Sequence, residues 1–191
     1  MLVGFTTPQG VIMNRRAQTS LADIAVGLLA GLVATQVTNL VQGPLRRLTP
    51  RRVTLWERLV RPGGSSSLVA ARKVADHLDS SLSKQETELL GKLIHNGIGM
   101  AWGPVYGLLR RHGSMPPVAA GLATGAAMSL VLDEVVVPTL GLSAPNQDYP
   151  ILTHVRGFVA HLVYGAVAAL TTEAVNRLSE PTAARHPLSM S

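Results

Sequence analysis

The stretch Val118–Leu142, VAAGLATGAAMSLVLDEVVVPTLGL, sets the fold that we expect for this chain. It is apolar and long enough to cross a bilayer as a helix, which takes about 20 residues. It nevertheless carries two adjacent acids, Asp133 and Glu134. Acids inside such a segment are strongly disfavoured unless they face protein or water. We therefore expect the rest of the chain to surround these two carboxylates.

One face of this predicted helix is small and then acidic. Residues four apart share a helix face, and stepping back by four from Asp133 meets Ser129, Gly125 and Gly121. Pro138 follows Glu134 by four residues. Proline has no N–H, so the carbonyl of Glu134 loses its helical partner there.

The composition of the chain indicates a membrane protein. Of its 191 residues, 47% are hydrophobic and only 15% are charged, whereas soluble domains carry about 25% charged residues. The absence of cysteine excludes disulfides, thiolate metal sites and iron–sulfur clusters. A net charge of +6 suits nucleic acid or an anionic membrane surface. The apolar segments favour the membrane, and we expect no nucleic-acid partner.

The apolar segments predict a single all-α membrane domain, an antiparallel bundle of four transmembrane helices. The polar loop 43–91 between the first two helices is predicted to be amphipathic and helical, with capping boxes at Thr54-x-x-Glu57 and Ser83-x-x-Glu86. The tail 178–191 is expected to be loosely held. The predicted spans are about 24–42, 92–110, 117–140 and 157–176.

Small-residue stripes are predicted to bring these helices together. Glycines four apart let two helix backbones approach closely in lipid. The predicted packing residues are Gly27 and Gly31 in the first span, Gly99, Gly103 and Gly107 in the second, Gly121 and Gly125 in the third, and Gly165 in the fourth.

Polar side chains at one depth form the candidate site. Alternating helix direction places them on one side of the membrane, about 5–10 Å below the interface at a rise of 1.5 Å per residue. The candidate buried polar cluster is Asn39, His95, Asp133, Glu134 and His161. We expect one of the acids to lie close to His95 or His161, with Asp133 towards the bundle centre and Glu134 towards a flank.

Three interpretations of this cluster stay open. Its side chains could simply make interhelical hydrogen bonds, or they could form a proton or ion pathway. Two histidines and a carboxylate could also bind a divalent metal or a haem. The spacing matches no HExxH or ExxH motif, so no cofactor is predicted.

Basic residues predict how the chain meets the lipid. Arg46, Arg47, Arg51 and Arg52 follow the first span and are predicted to anchor it to anionic headgroups. Of the 17 lysines and arginines, eleven lie on the side that bears the long loop. This excess favours a cytoplasmic long loop.

Three segments carry a resemblance to a known family: GMAWGPVYGLLRR (99–111), LVLDEVVVPTLGLSAP (130–145) and THVRGFVAHLVYG (153–165). They resemble the YagU-like family of uncharacterised bacterial inner-membrane proteins, and the resemblance covers roughly residues 22–176. It implies a multi-span helical protein of the bacterial inner membrane. It implies no activity, cofactor or catalytic residue.

These observations favour a non-enzymatic role. We expect an accessory or structural subunit of a membrane complex or a small stand-alone bundle, with other membrane subunits or further copies of the chain as partners. The alternative is a proton or ion conduit through the acid–histidine cluster, and a metal- or haem-binding protein is the third possibility. A subunit should expose glycine or aromatic surface on more than one side, whereas a conduit needs water that reaches the carboxylates.

Overall fold

The computed structural model describes residues 9–61, 63–112 and 115–179. All regular secondary structure in these ranges is helical. A π-helical segment, Ser129–Val136, joins the helix Pro117–Met128 to the short helix Val137–Thr139, and a short 3-10 turn, Asn146–Asp148, precedes the helix Ile151–Ser179. The all-α prediction is confirmed. The α-helices are α1 (Gln9–Arg47), α2 (Arg51–Val60), α3 (Ser66–His77), α4 (Lys84–His112), α5 (Pro117–Met128), α6 (Val137–Thr139) and α7 (Ile151–Ser179).

Three stretches of the described chain are long and apolar enough to cross a membrane. They are Leu21–Arg47 in α1, Pro117–Thr139 from α5 to α6, and Ile151–Ser179, which is α7. They match the first, third and fourth predicted spans, although α1 continues through Pro44 beyond its predicted end. The predicted second span lies in α4, which is long enough but not apolar enough to join them. Lysine, histidine, asparagine and several glycines dilute its apolar character, so a fourth span stays a prediction.

The long helices pack side by side with alternating direction. α1 packs along α4 and α7, and α5 packs along α7. Gly27 lies beside Pro104 while the later Gly31 lies beside the earlier Gly99, so α1 and α4 run antiparallel. Contacts between α5 and α7 run in the same opposed order: Gly121 against Gly165, and Gly125 against His161.

Two tyrosines fill the space that the small residues leave. Tyr106 and Tyr164 are among the largest fully buried side chains. Tyr164 packs with Ala34, Met128 and Ala168 and donates its hydroxyl hydrogen to the carbonyl of Gly99. A core of alanine, glycine and tyrosine is typical of close helix packing in lipid.

Two short helices form within the predicted amphipathic loop. The capping box that opens α4 is confirmed, because the Ser83 amide donates to Glu86 Oε2 at 2.8 Å and the Glu86 amide donates to Ser83 Oγ at 3.3 Å. The other predicted capping box is wrong. α2 begins at Arg51, and the Thr54 hydroxyl donates to the Arg51 carbonyl at 2.8 Å. Glu57 is therefore free to make a tertiary contact.

α3 and the end of α7 complete the described helices. α3 packs against α4 and buries Val69, Ala71 and Ala75. α7 continues to Ser179, so it includes the first residues of the predicted tail. The rest of that tail lies outside the described residues.

Candidate functional site

The first acid–histidine pair lies where the π-helical segment packs against α7. Asp133 Oδ2 lies 3.3 Å from His161 Nδ1 and accepts a hydrogen bond from Ser129 Oγ at 3.3 Å. His161 Nδ1 also lies 2.9 Å from the carbonyl oxygen of Gly157. A carbonyl can only accept, so Nδ1 carries a hydrogen. One of the two acids, Asp133, thus lies beside one of the two histidines that the sequence placed at its depth.

The second pair joins Glu134 to a residue that sequence reasoning missed, His154. Glu134 Oε1 lies 2.8 Å from His154 Nδ1, and Glu134 Oε2 accepts from Asn146 Nδ2 at 2.8 Å. His154 Nε2 lies 3.1 Å from the carbonyl oxygen of Asn146. Both ring nitrogens of His154 therefore lie within hydrogen-bond distance of oxygen atoms, which fixes the orientation of the ring.

Asn146 also compensates for Pro138. The sequence predicts that Pro138 leaves the carbonyl of Glu134 without its helical donor. Asn146 Nδ2 donates to that carbonyl at 2.9 Å. The loop before α7 thus completes the hydrogen bonding of the helix and orients the acid at the same point.

The π-helical segment changes the direction in which the two acids project. Its hydrogen bonds span five residues, as shown by the Val137 amide bonding to the Leu132 carbonyl. A π-helical turn inserts an extra residue into the helix, and such segments are frequent at functional sites. Glu134 consequently faces the 146–154 region, whereas Asp133 faces His161.

The other members of the predicted cluster lie between α1 and α4. His95 Nε2 lies 3.1 Å from Asn39 Oδ1, and Gln36 Nε2 donates to Asn96 Oδ1 at 2.6 Å. Among the described residues, no hydrogen bond or ion pair joins these four side chains to either acid. The hydrogen bonds of the predicted five-residue cluster therefore fall into an amide–histidine seam between α1 and α4 and an acid–histidine site between the π-helical segment and α7, although His95 and His161 are close enough for their charges to interact.

A metal site is not formed by these side chains. Within the described residues, no group of three or more histidine, aspartate and glutamate side chains is placed to hold a metal ion. Catalytic zinc sites use three protein ligands. The geometry thus gives no support to the metal-binding interpretation.

A buried ion pair ties α2 to α7. Glu57 Oε1 accepts from Arg156 Nη2 at 2.7 Å and from the Thr153 hydroxyl at 2.6 Å, and both charged side chains are only 8% exposed. Arg156 Nη1 also donates to the Thr49 hydroxyl at 3.2 Å. Burial raises the pKa of Glu57, but the hydrogen bonds from Arg156 and Thr153 outweigh it and hold the pKa below its ordinary value of 4.5.

Ion pairs also join the opposite ends of the long helices. Arg111 of α4 pairs with Asp23 of α1. Glu173 of α7 accepts from Arg110 Nε at 3.1 Å and from the Tyr106 hydroxyl at 2.7 Å. Charged residues at both ends thus hold neighbouring helices in register.

The predicted packing glycines lie against neighbouring helices with one exception. A Cβ atom at Gly103 would collide with the carbonyl oxygen of Gly27, and one at Gly125 would collide with the carbonyl oxygen of His161. Gly107 departs from the prediction, because a Cβ there would meet no described atom within 4 Å. A Cβ atom at each of the remaining members would also collide with a neighbouring helix: Gly27, Gly31, Gly99, Gly121 and Gly165.

The arginines predicted to bind headgroups divide into two sets. Arg51 and Arg52 are exposed on α2, away from any described partner. The other two border an open cleft of about 300 Å³ between the end of α1 and α2, hereafter the arginine cleft. Its lining residues are Arg46, Arg47, Thr54, Glu57, Arg58 and Arg61.

Comparison with known proteins identifies no relative: no family model, curated protein or solved structure matches the chain. The resemblance to the YagU-like family therefore stays a prediction. Function can be inferred only from the contacts described above.

Proposed function

We propose that the chain is a non-enzymatic, multi-pass protein of the bacterial inner membrane, an accessory or structural subunit that packs against other membrane subunits or another copy of itself. The long loop lies in the cytoplasm in this proposal, and α4 crosses the membrane with the other long helices. The observation that carries the proposal is a half-satisfied amide pair between α1 and α4, formed by the exposed Gln36 and the half-buried Asn96.

The contacts along α1 support a membrane-spanning α4. They extend from the ion pair of Asp23 with Arg111 to the hydrogen bond of Asn39 with His95. The 16 residues from Asp23 to Asn39 span about 24 Å at 1.5 Å per residue, most of a hydrocarbon core of about 30 Å. α4 therefore shares the depth of a helix that is apolar enough to cross.

The amide pair lies near the middle of the Leu21–Arg47 span. Gln36 Nε2 donates to Asn96 Oδ1, and Asn96 Nδ2 donates to the Lys92 carbonyl at 2.8 Å. Gln36 is exposed, and its Oε1 has no hydrogen-bond partner in the described part of the chain. An unsatisfied polar group in hydrocarbon costs about several kcal/mol. A partner chain that supplies a donor would remove this cost.

The adjacent outer face of α4 suits such a partner. Gly97 and Ala101 are exposed and four residues apart, and a Cβ at Gly97 would meet no described atom within 4 Å. Small residues let a second helix approach closely. The exposed amide and the exposed small residues thus favour the same occupant, a helix of another membrane protein chain.

The test is mild detergent extraction from native membranes followed by native mass spectrometry. We expect the wild-type chain to travel in a larger assembly. Gln36→Leu with Asn96→Leu should release the monomer without lowering its melting midpoint, because leucine suits lipid better than an amide. The control, Val33→Leu with Ile98→Leu, changes exposed apolar residues of the same helices and should keep the assembly. A monomeric wild type, or an assembly that survives loss of both amides, would contradict the proposal.

A second candidate function, proton conduction, is favoured by the acid–histidine site. Asp133 with His161 and Glu134 with His154 place two carboxylate–imidazole pairs side by side. In proteoliposomes, a conduit would dissipate an imposed pH gradient faster than empty liposomes do. Asp133→Asn should then slow it, whereas Asp148→Asn in the exposed loop should not. Equal rates for wild type and empty liposomes would exclude this function.

A further inference from the structure

We propose that the arginine cleft is a saturable binding site for one phosphate-bearing anion with more than one negative charge. This proposal is independent of the accessory role. It differs from a general attraction between basic residues and the membrane, because it assigns binding to the two pairs Arg46–Arg47 and Arg58–Arg61 and not to the neighbouring Arg51–Arg52 pair.

The positive charge of the cleft is not neutralised by the described chain. The side chains of Arg46, Arg47, Arg58 and Arg61 make no hydrogen bond or ion pair to any described residue, although Glu57 is close enough to attract Arg46 and Arg61. Glu57, the one acid among the lining residues, already accepts hydrogen bonds from Arg156 and Thr153. Four guanidinium groups thus border one opening that is lined by a single carboxylate, and Arg156 already pairs with that carboxylate.

The donors suit phosphate oxygens. A guanidinium group is planar, stays charged and can bind two phosphate oxygens at once. Arg46 and Arg61 are close enough for their charges to repel one another, and a bound anion would remove that repulsion. A cleft of about 300 Å³ has room for a phosphate headgroup.

The surface around the cleft favours an anionic lipid as the source of the phosphate. The cleft lies at the last turn of the candidate span Leu21–Arg47. Leu55, Trp56 and Leu59 are exposed on one side of α2, and tryptophan is enriched at the membrane interface. An amphipathic helix with this pattern lies in the interface with its apolar face towards the acyl chains. A soluble phosphate compound would offer the same chemistry, so the experiment must separate the two sources.

The experiment uses the full chain in a neutral detergent. Native mass spectrometry measures binding of dioleoyl phosphatidic acid, with dioleoyl phosphatidylcholine as the uncharged comparison, and calorimetry measures binding of inorganic pyrophosphate. We expect one phosphatidic acid per chain and little phosphatidylcholine. Arg58→Gln with Arg61→Gln should weaken binding about tenfold or more, because it removes two guanidinium groups that can make charge-assisted hydrogen bonds to phosphate oxygens.

The matched control is Arg51→Gln with Arg52→Gln, which removes the same charge from the same region but leaves the cleft intact. It should weaken binding by less than about twofold, because exposed charges act only through screened attraction. If the double variant proves unstable, Arg47→Gln is the substitute test. It changes a single exposed residue that borders the cleft, and it should also weaken binding.

Each outcome of the experiment either identifies the source of the bound phosphate group or contradicts the proposed binding site. Pyrophosphate binding with the same dependence on Arg58 and Arg61 would support the phosphate site and assign it to soluble compounds. Binding of phosphatidic acid alone would support it and assign it to lipid. Equal losses in the two double variants, binding that does not saturate, or an unaffected Arg47→Gln variant would overturn the proposal.

Discussion

Glu57→Gln should detach α2 from the rest of the molecule. Glutamine keeps the shape of the side chain but removes the charge that balances Arg156, whose side chain is 8% exposed. Removing one partner of a buried ion pair costs about 3–5 kcal/mol. Because Arg156 keeps its hydrogen bond to Thr49 at 3.2 Å, we expect the lower end, about 3 kcal/mol, which is about a hundredfold in an equilibrium constant.

The assay is amide hydrogen exchange across α2, Arg51–Val60. In the Glu57→Gln variant, these amides should exchange about a hundredfold faster, while those of α7 beyond its first turns change little. Emission from Trp56, made the sole tryptophan by Trp102→Phe, gives an independent signal of α2 detachment. Glu88→Gln is the control, because Glu88 is exposed and should change nothing.

The pH dependence of α2 docking has a definite sign. The pKa of Glu57 in the folded protein lies below its ordinary value of 4.5, so the ionised form stabilises the docked state. That contribution is fully present above pH 4.5 and is lost as the pH falls through the lower, folded value. The Glu57→Gln variant should lack this loss. Unchanged exchange in α2 of the variant, or an equal acid response in both proteins, would refute the reasoning.

Two further substitutions test the helix contacts, each against a matched partner. Gly103→Leu should destabilise the protein in detergent by about 1–3 kcal/mol or more, because a side chain there meets the backbone of α1. Gly107→Leu is the control and should change the melting midpoint little. Equal melting midpoints for the two variants would show that these helix faces are wrongly assigned. His161→Gln should shift the carboxyl band of Asp133 in infrared difference spectra, because His161 pairs with that acid. His95→Gln should not shift it, since His95 pairs with the amide of Asn39. A shift in both variants would contradict this assignment and show that His95 is coupled to Asp133.

The sequence was sufficient to predict contacts that follow from a regular α-helix. Residues four apart share a face, and the stripe of α1 from Asp23 through Gly27, Gly31 and Thr35 to Asn39 meets α4 along its whole length. The same periodicity and the alternating direction of the helices place an acid near a histidine, but they left open that the pair would be Asp133 and His161. Such contacts depend only on the regular spacing of side chains along an α-helix, which the local sequence determines.

Contacts that depend on an irregular backbone could not be predicted in the same way. The π-helical segment turns Glu134 towards His154 and Asn146, and apart from Pro138 nothing in the sequence indicates an extra residue in that turn. Glu57 fits a capping-box pattern, yet its tertiary partner Arg156 lies 99 residues away. A motif within a few residues cannot show that a side chain far along the sequence will bind the same carboxylate.

The predicted crossing of α4 can be tested by labelling single cysteines from outside intact bacterial cells. The chain contains no cysteine, so Ser81→Cys, Met115→Cys and Gln147→Cys each report one position with a membrane-impermeant maleimide. These three residues are exposed in the connections that flank α4, the π-helical segment and α7. If α4 crosses the membrane and the long loop is cytoplasmic, Met115→Cys should react in intact cells, while Ser81→Cys and Gln147→Cys should react only after permeabilisation. Reaction of Ser81→Cys and Met115→Cys from the same side would contradict it.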